Sequence, residues 1–149
     1  MNRRAAVAMT EQEVAALLRE QPKLQLGTIN PDGTPHLVTM FYGLVDGKIA
    51  FWTYRTSQKI RNIERDPRVS CLVESGIEYS ELRGALIYGT AKLVTDQNDV
   101  RYVGAQVLGR MMDVEEAAIA ELVEATAAKR YAVVVEPVRV ASWDHGKLT

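Results

Sequence analysis

The chain has 149 residues, 47% hydrophobic and 25% charged, with 18 Lys and Arg against 19 Asp and Glu. That length suits one domain with a core of its own, and the composition excludes disordered and collagen-like sequence. A formal net charge of −1 carries no global basic footprint for nucleic acid or an anionic membrane.

Residues 1–9 hold two arginines and no adequate apolar run, so they read as a disordered lead or a mis-set start. A single domain is expected over residues 10–149. No stretch approaches the ~20 apolar residues of a membrane helix. The one cysteine, Cys71, cannot form an internal disulfide, and a reducing cytoplasm is the expected compartment. His36 and His145 lie far apart and no Cys/His cluster exists, so no metal site is expected.

Thr10 and Glu13 form a capping box for a first helix that ends at Pro22. Lys23 to Ile29 reads as a strand, followed by an Asn30-Pro31-Asp32-Gly33 turn. His36 to Val45 reads as one long strand. Asp46-Gly47 is a hairpin turn, because both central residues of a type I′ turn need positive φ. Lys48 to Tyr54 returns as its partner. Thr56-Ser57 opens a short helix, closed at Asp66-Pro67. Strands follow at Arg68 to Glu74 and Leu82 to Thr95, with Gly84 and Gly89 as bulge or bend points. Asp96 caps a helix, Asp113 to Lys129 forms another, and Tyr131 to Trp143 is a final strand. This makes about six strands and four helices, with hairpins in place of βαβ units. Neither a GxGxxG nor a Walker pattern is present. An antiparallel barrel with helices outside is the expected class: mainly β, with helices.

Both faces of His36 to Val45 are largely apolar. One face fills the barrel. The other lies under the chain's own helices, against a second subunit, or against a flat ligand. The segment Phe51 to Pro67 is the strongest candidate site. A helix N-terminus presents free N–H groups and favours acids. Here Arg55, Lys59 and Arg61 gather instead, and Arg55 to Arg68 contains five bases and two acids. A phosphate would satisfy the N–H groups, the Ser57 hydroxyl and these charges together. The alternative is a solvated basic face with Ser57 as a plain cap. Trp52, Tyr54, Tyr79, Tyr88 and Trp143 suit a planar ligand or a set of packing anchors, and Phe51 reads as core. Cys71 reads as a small buried hydrophobe. No Ser/His/Asp or Cys/His constellation emerges.

Four stretches carry a resemblance. They are Asp32-Gly33-Thr34-Pro35-His36; Phe51-Trp52-Thr53 through Ser57-Gln58-Lys59 and Asn62 to Arg65-Asp66-Pro67-Arg68-Val69-Ser70; Glu81-Leu82-Arg83-Gly84 with Gly89; and Ser142-Trp143-Asp144-His145-Gly146-Lys147-Leu148. They resemble the split β-barrel flavoproteins of the pyridoxamine 5'-phosphate oxidase-like superfamily, within it the branch that uses coenzyme F420. The resemblance implies a six-stranded antiparallel split barrel of the FMN-binding type, forming a homodimer with cofactor at the interface. It implies that Thr53, Ser57, Gln58 and Lys59 hold the cofactor's ring edge and phosphate, with Trp52 beside them. Arg55, Arg61 and Asn62 would help with the charged tail. Val38, Thr39 and Met40 would line the ring, and Trp143 would approach from near the C-terminus, from the partner chain. The implied activity is hydride transfer between reduced F420 and a small electron-poor acceptor. FMN is the alternative cofactor, and a non-catalytic flavin or haem-type binder the alternative role. Tyr79 or Tyr88 is a candidate proton donor; no catalytic side chain is assigned. The Arg-x-His motif that ends true pyridoxamine phosphate oxidases is missing from this tail.

Overall fold

The computed structural model describes residues 2–148. Five α-helices surround one seven-stranded antiparallel sheet: α1 (Arg3–Val7), α2 (Glu11–Glu20), β1 (Lys23–Ile29), β2 (Pro35–Phe41), β3 (Gly43–Val45), β4 (Lys48–Tyr54), α3 (Gln58–Arg65), β5 (Arg68–Ser75), β6 (Arg83–Val94), α4 (Gln97–Met111), α5 (Glu116–Thr126) and β7 (Arg130–Asp144). The strand order is β2-β1-β5-β6-β7-β4-β3. The outermost strands, β2 and β3, are consecutive in the chain. Tyr42 alone separates them, so the sheet curls to bring its two edges near each other at that residue without pairing them. The result is a curled half-barrel in a mixed α/β fold.

Seven strands replace the expected six because the segment read as one strand breaks at Tyr42. The cause is local. Tyr42 is fully buried and its hydroxyl donates to the Leu18 carbonyl at 2.6 Å. Arg110 of α4 lies over the ring at 4.3 Å and donates to the Tyr42 carbonyl at 2.6 Å. The same guanidinium reaches the carbonyls of Leu18 and Gln21 at the end of α2. Those carbonyls lack helical partners, and a cation suits them. A long strand is thereby bent over one side-chain pair.

The Asp46-Gly47 turn has φ of 51° and 76°. That left-handed conformation costs Gly nothing and Asp little. A register shift between Tyr88 and Gly89 marks a bulge against β7. The barrel core joins Leu24, Leu26, Phe51, Ile60, Cys71, Val73, Val133 and Val135. A second core under α4 and α5 holds Trp52, Val100, Val103, Val107, Val123 and Ala132. Cys71 has its thiol pushed up to about 12 by burial, so it stays a neutral packing group.

The lead expected before the domain also differs. Residues 3–7 form α1, capped by the Asn2 side chain, and Val7 is buried. The Met9 N–H donates to Ser142 Oγ at 2.9 Å, and Lys147 bridges the Ala8 carbonyl and Glu13. Burial of Val7, packing of Met9 on the barrel core and polar contacts with the tail hold this segment on the domain.

These contacts predict an acid response. Lys147 is the main cause holding the Glu13 carboxyl at about 2, and Arg68 does the same for Asp66. Their ordinary values are 4.5 and 3.8. A folded pKa below the unfolded one contributes stability above the ordinary value, and that contribution is lost as pH falls through the folded value. Tm should fall between about pH 4.5 and 2. In a Glu13→Gln/Asp66→Asn variant the fall over that window should be shallower. Equal slopes would remove both carboxylates from the account.

Candidate anion and cofactor site

The end of β4, the first turn of α3 and the start of β7 meet in one corner. The register pairs Tyr54 with Arg130 and Thr53 with Tyr131. The Arg55 N–H donates to the Lys129 carbonyl at 3.0 Å. Ser57 is the N-cap of α3, and its hydroxyl accepts from the Ile60 N–H at 3.4 Å. No acid occupies the first turn. The N–H groups of Gln58 and Lys59 have no acceptor among the described residues. Among the same residues Lys59 forms no ion pair. Burial, then the charge of Arg130, lowers the Lys59 pKa below its ordinary value. A buried-side cation facing a second cation at a helix N-terminus is an arrangement that an anion relieves.

Behind the corner, Asn62 anchors α3 to β1. It is fully buried. Its amide donates to Thr28 Oγ1 and Asn30 Oδ1, both at 3.0 Å. Its Oδ1 accepts from Gln58 Nε2 at 2.8 Å and from Arg65. Arg65 also donates to the Ile29 carbonyl. Asn62 therefore positions the helix, and its polar atoms are engaged within the protein. Gln58 turns its amide toward this network, so Lys59 carries the charge of the first turn. Arg55 and Arg61 are exposed on the rim.

The expected residues divide by strand parity, because successive side chains of a strand face opposite ways. Thr53 points into the barrel and is buried. Trp52 points the other way, under α4, where a Cβ on Gly104 would overlap its ring. Arg130 covers that ring at 4.7 Å. Trp52 is thus a packing residue of the second core, separated from Thr53 by the strand itself. On β2, Val38 and Met40 turn toward the core, while Thr39 faces outward and donates to Gln25 Oε1 at 2.9 Å. Three consecutive side chains cannot line one ring. What β2 offers is its free edge, since it pairs with β1 alone. Trp143 lies on β7 opposite Gly84, which has no room for a side chain beneath the indole. The Tyr79 and His145 rings meet at 4.5 Å, tilted by 49°, and Tyr88 lies under Arg139 at 4.2 Å.

Sequence reasoning missed Arg130, because its place depends on the β4–β7 pairing. It also missed Thr28 and Asn30, which meet Asn62 only when α3 lies across β1. Among the described residues no group of three His, Cys, Asp or Glu side chains could hold a metal ion. None of their helices is long and apolar enough to cross a membrane.

The family model for pyridoxamine 5'-phosphate oxidase matches residues 10–144. The chain belongs to the pyridoxamine 5'-phosphate oxidase family. Among solved structures, this family member is similar to the conserved hypothetical protein Rv2991 from Mycobacterium tuberculosis, at 39% identity and a TM-score of 0.92, over 97% of this chain and 91% of that one. It shares its fold with a protein described as F420 reductase, at 24% identity and TM-score 0.69, over 88% and 98% of the two chains. It also shares the fold of HutZ, the heme storage protein from Vibrio cholerae, at 16% identity and TM-score 0.65, over 87% and 92%. No curated protein matches the chain. The family model and these structures together show the fold of the pyridoxamine 5'-phosphate oxidase family.

Proposed function

We propose that this protein is an F420-dependent oxidoreductase acting on a small electron-poor organic acceptor. The observation that carries the reading is the α3 corner: among the described residues, two N–H groups without an acceptor, a first turn without acids, and Lys59 without a counter-ion. The residues fit a phosphate. The exposed Arg55 and Arg61 extend the positive rim, which favours the longer anionic tail of F420 over the single phosphate of FMN. When bound, the reduced deazaflavin supplies a hydride. The protein orients the ring, neutralises its anionic end and keeps water away. Lys59 and the first turn of α3 would bind the phosphate, the edge of β2 would face the ring, and Asn62 would keep α3 in place, with Thr53 buried behind in the barrel. Fold relationship with the F420 reductase agrees with this reading.

The active unit in this proposal is a homodimer. The outward face of the sheet carries Leu37 and Val138 at 70% and 73% exposure, with Leu72, Leu86 and Tyr88 partly exposed between them. A solvated antiparallel face normally alternates to polar residues. A second copy would cover this face and bring its Trp143 toward β2. FMN is the second reading, supported by the same phosphate corner.

The test is turnover. Reduced F420 mixed anaerobically with the protein and a set of quinones and nitroaromatics should be reoxidised faster than without protein. Tight binding with no acceleration across the set would turn the reading to a carrier.

A further inference from the structure

Arg130, the first residue of β7, is unusually constrained for a surface arginine. Its guanidinium lies 4.3 Å from the Tyr54 ring centre and 4.7 Å from that of Trp52. Its Nε donates to Thr126 Oγ1 at 2.9 Å. Two rings and one hydrogen bond fix the plane of the group. The terminal nitrogens have no acceptor among the described residues, and no carboxylate there pairs with Arg130. The side chain stands beside Tyr54, three residues before the Ser57 cap, and the Arg55–Lys129 backbone bond ties the two segments together. Lys59 lies within reach of its charge.

We propose that Arg130 is the second cation of the anion site, holding the bound cofactor's phosphate jointly with Lys59. This rests on the cofactor reading above. The chemistry is specific. A planar guanidinium already held flat presents two parallel N–H donors, the geometry that a phosphate takes in bidentate fashion. Lys59 then acts as the point charge and the α3 N–H groups complete the cradle. Because Gln58 turns inward to Asn62, the first turn of α3 has only one charge of its own, and β7 supplies the other. Contact with the rings of Tyr54 and Trp52 excludes water from part of the guanidinium, which strengthens its charge interactions with a bound anion.

A purely structural arginine, packed against aromatic rings, is the competing account, and ligand choice separates the two. The intact protein is titrated with F420 and with its phosphate-free deazaflavin core, by fluorescence, beside Arg130→Gln and Arg130→Lys variants. Arg130→Gln should weaken F420 binding by roughly 10–100-fold and leave the phosphate-free core within about twofold. Arg130→Lys should recover part of the loss. An equal loss for both ligands, or none for either, overturns the assignment. If Arg130→Gln does not fold, Arg130→Lys carries the same comparison, with a loss of at least about threefold for F420 alone. Parent protein that binds F420 while both variants match it defeats the Arg130 assignment and spares the cofactor reading. Parent protein that binds neither F420 nor FMN defeats both.

Discussion

Replacing Lys59 with alanine should weaken F420 binding by roughly 10–100-fold while moving Tm by no more than about 2 °C. The two halves have one cause. A charge-assisted hydrogen bond to phosphate contributes about 1.5–3 kcal/mol. The same ammonium contributes little to folding, because it is half-buried, has no counter-ion among the described residues, and faces Arg130. Its lowered pKa says that the folded protein disfavours the charged form. A bound anion reverses that preference. Affinity should therefore fall as pH rises toward the ordinary lysine value of 10.5, earlier than for an unperturbed lysine. Titration of the variant by fluorescence and thermal unfolding checks both halves. Unchanged affinity would remove Lys59 from the site.

Asn62→Ala should have the opposite profile. The buried amide joins Thr28, Asn30, Gln58 and Arg65 in one network. Truncation leaves the buried Thr28 hydroxyl without this partner and unties α3 from the more exposed Asn30, Gln58 and Arg65. The expected cost is about 3 kcal/mol, or roughly 10 °C in Tm. F420 affinity should fall as well, because α3 loses its anchor to β1. Asn62→Asp should rescue little, since a carboxylate cannot donate to the Thr28 and Asn30 oxygens. A Tm within about 2 °C of the parent would show that apolar contacts of Ile60 and Ile63 hold α3 unaided.

The contrast between these two residues explains what could be read from sequence. Ser57 as cap and the α3 boundary were legible, because capping and proline rules act over a few residues. The strands were legible for the same reason: β1 and the Asp46-Gly47 hairpin follow from alternation and turn chemistry. The break at Tyr42 was not, because its cause is Arg110 on a helix far along the chain. Lys59 and Asn62 both read as cofactor contacts on one short helix, Lys59 for the phosphate and Asn62 for the charged tail. The structure separates them: one faces the corner and the other is buried behind it. Trp52 shows the same limit. Adjacent to Thr53 in sequence, it belongs to a different core, and parity alone forbids a shared face. Arg130 carried no local signal at all, since only strand pairing sets it beside Tyr54.

The central claim is that the α3 corner binds the phosphate of a deazaflavin or flavin. Side-by-side titration of the pure protein with F420 and FMN tests it most directly, read by fluorescence quenching. The account predicts saturable binding at micromolar concentration or tighter, strongest for F420, and weakened by added phosphate. Absence of saturable binding for both ligands would contradict it.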